Sequence, residues 1–269
     1  MLLTADPGRI DLWCAFVSEV PDERLWSGYQ GLMSAEERAR EARLRFARDQ
    51  RRFRLTRALV RTVLSRYRPL EPQRWAFAAH ERGRPYIAGP PPVPPIDFNL
   101  SHAGDAVVLG VWGGAVLGVD VEDVIGREAH IAGLERYFTR LESERLLALP
   151  PSARPRHFFE LWTLKESYLK ARGLGLAGPL DAFGFDLSSP GQVRLSIERA
   201  LADSPRRWRL WQLALRSRYL AALCAECSGT GPVAIVVREV VPLLSERTVE
   251  TVLLRASAPP DRHSARGGF

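Results

Sequence analysis

Lysine is nearly missing from this chain of 269 residues: of its 38 basic residues only Lys165 and Lys170 are lysines, and the rest are arginines. Asparagine occurs once, at Asn99. Both amino acids use codons that begin AA, so a GC-rich gene would suppress them together. The three survivors fall in two short segments, "DFNLSHAG" (97–104) and "WTLKESYLKARG" (162–173). A lysine kept against that pressure marks a place where a compact ammonium serves and a planar guanidinium does not. Cysteine is scarce too. Three cysteines, an odd number, do not make a disulfide framework, which points to a reducing cytoplasm. Cys224 and Cys227 form a lone C-x-x-C with no second pair and no nearby histidine, so ordinary thiols in a strand are expected rather than a zinc or redox site. No apolar run reaches the roughly 18–20 residues of a membrane span, and the N-terminus carries no signal-peptide pattern. Neither a membrane protein nor a secreted one is expected.

What is present is an ordinary globular composition, 46% hydrophobic and 26% charged, with enough chain for one large domain or two small ones. A strand is expected over 10–17. Ser34 and Glu37 form a capping box opening a basic helix, "SAEERAREARLRF", and a second helix follows at about 48–67. Short strands are expected near 75–79 and 85–87, then a rigid loop in "AGPPPVPP" (88–95). Strands continue at about 96–100, 106–112 and 115–122, with Gly113-Gly114 turning the last pair. Thr139 and Glu142 form a second capping box, and "RHFFELWTLKESYLKARG" makes a long helix stopped by Gly173. Strands return at about 183–187, 192–198, 208–215, 218–225 and 233–238. The order strand, helices, strands therefore occurs twice, which predicts two α+β halves. The expected division is an N-terminal half over 1–114, a C-terminal half over 115–240, and a tail over 241–269. That tail ends in the polar, Gly/Pro-rich "ASAPPDRHSARGGF" and is expected to be partly disordered.

Chemistry first suggests itself in "LGVDVED" (117–123). Alternate strand residues share a face, so Asp120 and Glu122 stand side by side, where two carboxylates repel. One reading is a strand edge with a solvated face. The other is a hard divalent cation such as Mg²⁺, which takes oxygen ligands from one or two carboxylates and substrate phosphates. Asp123 points away from Glu122 and reads as a turn or surface residue. Glu166 lies in a helix that is apolar nearly all round and could supply a third carboxylate. Glu166 and Lys170 also suit an ordinary i, i+4 ion pair, but that leaves Lys165 unexplained, so the helix reads better as the wall of an anionic site. Ser101-His102 lacks a nucleophile elbow. If the strand ends there, both side chains can reach a phosphate instead. The net charge of +7 and pI near 9.8 keep a Mg²⁺-dependent nuclease, or another phosphotransferase acting on nucleic acid, open as an alternative. Against it, neither lysine has an acid two residues before it, as the D/E-x-K of such sites requires. A carrier-protein-binding module without catalysis is a third reading, which absence of the acids or lysines would have favoured.

Taken in order, "RGRPY" (82–86), "FNLSHAGD" (98–105), "LGVDVED" and "FFELWTLKESYLKARGLGL" (158–176) resemble the 4′-phosphopantetheinyl transferases of the two-domain surfactin type, over about residues 10–225. The resemblance implies a cytoplasmic, monomeric α+β protein of two pseudo-twofold-related halves, with coenzyme A and the active site at their interface. It implies that Asp120, Glu122 and Glu166 hold Mg²⁺, or alternatively Mn²⁺, with the coenzyme A pyrophosphate. Lys170 would neutralise that pyrophosphate, with Lys165 nearby. Ser101 and His102 would contact coenzyme A phosphate, and Arg84 and Arg52 its nucleotide end. The family reaction moves phosphopantetheine from coenzyme A to a serine of an apo acyl or peptidyl carrier protein, releasing adenosine 3′,5′-bisphosphate. It serves fatty-acid, polyketide or nonribosomal-peptide synthesis. Glu166, directly or through a water, is the candidate base, and Lys170 the partner that stabilises charge. Neither nucleic acid nor membrane is implied as a partner. Where the family often has lysines, in the N-terminal helix and before Pro85, this chain has Arg38, Arg40, Arg43 and Arg84, which serve phosphates equally well. The basic surface around Arg40 and Arg43 would suit an acidic carrier helix.

Overall fold

The computed structural model describes residues 2–91, 94–125, 136–175, 178–227, 229 and 231–258. They form an α+β fold in two compact units, one of Met1–Gly113 with Ala234–Glu250, the other of Gly114–Val233 with the chain from Thr251 onward.

The first unit is built on strands β1 (Arg9–Phe16), β4 (Asp97–Ala103) and β5 (Ala106–Trp112), joined by β11 (Ala234–Val241) and β12 (Ser245–Val249), in the order β12-β11-β1-β5-β4. β1 pairs antiparallel with β5 and parallel with β11. The helices are α1 (Glu23–Leu32), α2 (Ala35–Ala42) and α3 (Ala47–Tyr67), and a hairpin of β2 (Ala76–Ala79) and β3 (Pro85–Gly89) completes the unit. Trp13, Leu55, Leu59, Val63, Phe98 and Leu109 form its core. The Ser34/Glu37 capping box opens α2 as the sequence predicts. α1 is not foreseen by the sequence reading. Its signal is Asp22, whose carboxylate accepts the Leu25 N–H at 3.0 Å and so satisfies one of the helix's orphan donors.

β1 and β11, far apart in the chain, are tied by charge as well as by their ladder. Asp11 is buried on β1; it accepts Arg238 Nη1 from β11 at 2.6 Å and the Tyr67 hydroxyl from α3 at 2.7 Å. Breaking one member of such a group would leave the others buried and uncompensated.

In the second unit, β6 (Leu117–Asp123), β9 (Trp208–Leu215), β10 (Tyr219–Glu226) and β13 (Val252–Ala256) form a sheet in the order β13-β9-β10-β6. Helices α4 (Arg140–Ala148) and α5 (Arg154–Arg172) and the small pair β7 (Phe183–Asp186) and β8 (Arg194–Ile197) complete it. α5 buries Leu164 and Tyr168 against Phe183, Leu220 and Ala222. Gly173 ends it in the left-handed conformation (φ 64°) that glycine adopts without steric cost.

Asp203 anchors the C-terminal turn of α5. Its carboxylate is fully buried and accepts the Tyr168 hydroxyl at 2.8 Å, Trp208 Nε1 at 2.9 Å and Arg207 Nη1 at 2.7 Å, with Arg172 also paired to it. Asp203→Ala leaves those donors facing an empty site, and a loss of about 3 kcal/mol in urea unfolding is expected.

Three expectations are corrected by the fold. Gly113-Gly114 does not turn a hairpin: β5 and β6 lie in different sheets. Gly113 is small because a Cβ there would stand 2.5 Å from the Ala5 carbonyl oxygen. The segment set apart as a tail begins with ordered structure, since β12 extends one sheet and β13 the other. Sheet edges offer unpaired N–H and C=O groups to any extended segment, whatever its composition. The disorder expected over 256–269 does not hold for Ala256, which ends β13, and from 259 on it lies outside the described residues. Asp123, finally, is not a surface residue. It is buried at the end of β6, where Arg218 holds both its oxygens at 2.7–3.0 Å.

Candidate active site

The site in the second unit starts from one close approach. A Cβ on Gly118 would stand 1.9 Å from the Ser167 carbonyl oxygen and 2.5 Å from the Ala171 nitrogen. Only glycine lets the backbone of α5 lie so near β6. The sequence carried a signal for this, a glycine inside a strand pattern, which often marks a close backbone approach. Two residues on, Asp120 is buried, and Glu122 beside it on the same face is half-buried.

α5 then brings a cation and a third acid to that face. Lys170 Nζ donates to Asp120 Oδ1 at 2.7 Å. The pair is mostly shielded, with Asp120 7% and Lys170 27% exposed, so its attraction is less screened than that of a surface ion pair. Glu166 lies one turn before Lys170 and is buried, and its Oε1 accepts no hydrogen bond. Burial pushes its carboxyl up to about 7, and Asp120 and Glu122 add to that push against the opposing pull of Lys170. These interactions place Asp120, Glu122, Glu166 and Lys170 in one electrostatic neighbourhood.

The donor set suits a hard divalent cation. It consists of carboxylate oxygens, one of them buried without a hydrogen-bond partner, in a cluster whose repulsion a positive charge would relieve. Among the described residues, no three His, Cys, Asp or Glu side chains already stand in a closed metal-ligating group. Lys170 sits on Asp120 and offsets part of its negative charge from the side.

Lys165 does not join the cluster. It is fully buried and donates to the carbonyl oxygens of Leu180 at 2.7 Å and Phe183 at 2.6 Å. It also pairs with Glu142 Oε2 at 2.9 Å. Burial lowers the pKa of its ammonium, and Glu142 offsets only part of that fall. The expectation that Lys165 contacts coenzyme A is therefore corrected: all three protons are committed inside the core. Glu142 was legible only as a helix cap. It does close the capping box with Thr139, yet it also accepts the Phe185 N–H at 2.8 Å, and the pair with Lys165 has no sequence signal.

In the first unit, β4 runs on through Ala103 rather than ending at 100, so Ser101 and His102 lie within the strand. Their side chains take opposite faces, Ser101 buried and His102 exposed. Arg84 Nη2 holds Asp97 Oδ2 at 2.6 Å, and Arg52 Nη2 holds Asp49 Oδ1 at 2.9 Å. A guanidinium carries five donors, so pairing with a carboxylate does not by itself preclude a phosphate contact. Among the described residues no helix is long and apolar enough to cross a membrane.

Comparison with known proteins identifies the family. Residues 116–224 match the family model of the 4′-phosphopantetheinyl transferase superfamily, and residues 20–111 match that of a 4′-phosphopantetheinyl transferase N-terminal domain. The 4′-phosphopantetheinyl transferase Sfp of Bacillus subtilis (strain 168) is 33% identical over 209 residues, covering 78% of this chain and 87% of the relative. The 4′-phosphopantetheinyl transferase HetI of a Nostoc species is 32% identical over 233 residues, covering 86% and 93%. The psf-1 enzyme of Bacillus pumilus is 34% identical over 165 residues, covering 61% and 68%. With both units matched and the acids and lysines of the motifs in place, the chain belongs to the 4′-phosphopantetheinyl transferase superfamily.

Proposed function

We propose that this protein transfers the 4′-phosphopantetheine group of coenzyme A to a serine hydroxyl of an apo acyl or peptidyl carrier protein, as a cytoplasmic monomer. The observation that carries the reading is the Asp120–Lys170 pair beside the buried Glu166 carboxyl. In the reaction the serine oxygen bonds to the β-phosphorus of coenzyme A. The bond from that phosphorus to the bridging oxygen breaks, and adenosine 3′,5′-bisphosphate leaves with the electron pair. The serine proton passes to Glu166, directly or through a water; its carboxyl titrates at about 7 in the metal-free protein, and a cation held beside it would draw that value down.

Phosphoryl transfer depends on positioning and charge neutralisation more than on covalent chemistry. Asp120, Glu122 and Glu166 would hold Mg²⁺, which when bound supplies positive charge to the pyrophosphate. Lys170 faces the same oxygens as they gain charge. Arg52 and Arg84 are proposed to hold the nucleotide end and the exposed His102 a coenzyme phosphate; Ser101, buried on the opposite face of β4, does not present its side chain to the same phosphate. The nuclease alternative has no support among the relatives named above, which are transferases.

The test mixes the protein with coenzyme A, Mg²⁺ and an apo carrier domain and weighs the carrier. A gain of one phosphopantetheine group is expected, and its absence when a chelator replaces Mg²⁺. No mass change across fatty-acid, polyketide and peptide-synthetase carriers would overturn the proposal.

A further inference from the structure

Lys165 is one of only two lysines in the chain, and its neighbour in sequence is the candidate base. The two lysines are put to different uses. Lys170 points at Asp120, whereas Lys165 is sealed in the core with three acceptors. Those acceptors come from two places outside α5. Leu180 and Phe183 belong to the chain entering β7, and Glu142 to the first turn of α4. Glu142 is itself immobilised, accepting the N–H groups of Thr139 at 2.7 Å and Phe185 at 2.8 Å. The rings of Phe183 and Phe138 lie 4.5 and 5.7 Å from the ammonium and close the compartment. An arginine could not be substituted here. Its planar fork is larger than a compartment in which three acceptors converge on one nitrogen.

Helix geometry gives this anchor a consequence for the site. Successive residues turn by about 100°, so Ser167 lies about 200° around the axis of α5 from Lys165, close to the opposite side, and Glu166 falls midway along that arc. Ser167 and Ala171 form the row that meets Gly118 of β6. α5 is therefore held on two nearly opposite sides, by backbone contact with β6 and by the buried Lys165–Glu142 pair. Rotation about its own axis, which contact with β6 alone would leave open, is what would swing Glu166 and Lys170 away from Asp120 and Glu122.

We infer that Lys165 and Glu142 form a rotational pin that positions Glu166 and Lys170 on the carboxylate face of β6, making Lys165 a positioning residue rather than a contact of coenzyme A. The inference rests on the proposed transferase reading, and the experiment separates the two. Wild type, Lys165→Met and Glu142→Gln are each titrated with Mg²⁺ alone, following the rise in thermal midpoint. Each is also assayed for transfer from coenzyme A to an apo carrier domain, with kcat and the coenzyme A KM determined separately. Both substitutions are expected to weaken the Mg²⁺ midpoint by about tenfold and lower kcat by a similar factor, as loss of outer support does in metal sites. The coenzyme A KM should stay within a factor of about three of wild type.

A coenzyme contact predicts another pattern: Lys165→Met raises the KM, the Mg²⁺ midpoint is unmoved, and Glu142→Gln is silent. That pattern overturns the inference. If Lys165→Met fails to fold, the milder Glu142→Gln decides, because it keeps the side chain's size and part of its hydrogen bonding. Loss of the folded near-ultraviolet signal in both variants would make the pair a stability element only, and would also overturn the positioning role. Failure of the wild type to transfer at all would instead sink the transferase reading.

Discussion

Gly118→Ala is expected to cost about 3 kcal/mol in urea unfolding and to reduce carrier modification at least a hundredfold. The added methyl would fall 1.9 Å from the Ser167 carbonyl oxygen and 2.5 Å from the Ala171 nitrogen. Both are backbone atoms of α5, so no rotamer change can clear them. Carbon needs an approach of about 3.5 Å, and α5 would have to withdraw from β6 by roughly 1.5 Å or more. Withdrawal would open the core where Leu164 and Tyr168 pack with Leu220 and Ala222, and would stretch the 2.7 Å bond from Lys170 to Asp120. Stability and activity should therefore fall together. A variant with an unchanged unfolding midpoint and full transfer would show that the helix does not lie as close to β6 as described.

The second large effect separates the two properties. Asp120→Asn keeps size and shape but removes the charge that Lys170 meets and that a cation would need. Transfer is expected to fall about a thousandfold, with the Mg²⁺-induced rise in thermal midpoint lost and the fold retained. Glu166→Gln should lose activity by a comparable factor while stabilising the metal-free protein at pH 8. The sign follows from its carboxyl, which titrates at about 7 in the folded chain and near 4.5 when unfolded. The folded state binds the extra proton between those values, so stability rises as pH falls from 7 toward 4.5, and the charged carboxylate costs most above pH 7. Gln removes that cost. Retention of more than a tenth of the wild-type rate in Asp120→Asn would rule out its role at the reacting phosphates, and a lower pH 8 midpoint in Glu166→Gln would contradict the buried carboxylate.

Much of the site was legible because it depends on local periodicity. Alternation on β6 puts Asp120 and Glu122 on one face in any context, and helical spacing puts Glu166 one turn before Lys170. Capping boxes at Ser34 and Thr139 mark two helix starts for the same reason, since each is a bond between residues three apart. The motifs around these residues then sufficed to identify the family.

Sequence alone therefore determined the chemistry available to this protein: a stripe of acids, two retained lysines and arginine-rich first-unit helices. Tertiary structure decided how that chemistry is divided. Lys165 and Lys170 are alike in type and lie on one helix, yet which faces the acids and which is buried against Glu142 depends on what packs around α5. Likewise, β5 and β6 follow each other in the chain but enter different sheets, and β11, β12 and β13 are shared between the two. Strand pairing and burial are set by partners distant in sequence, and no local pattern carries that information.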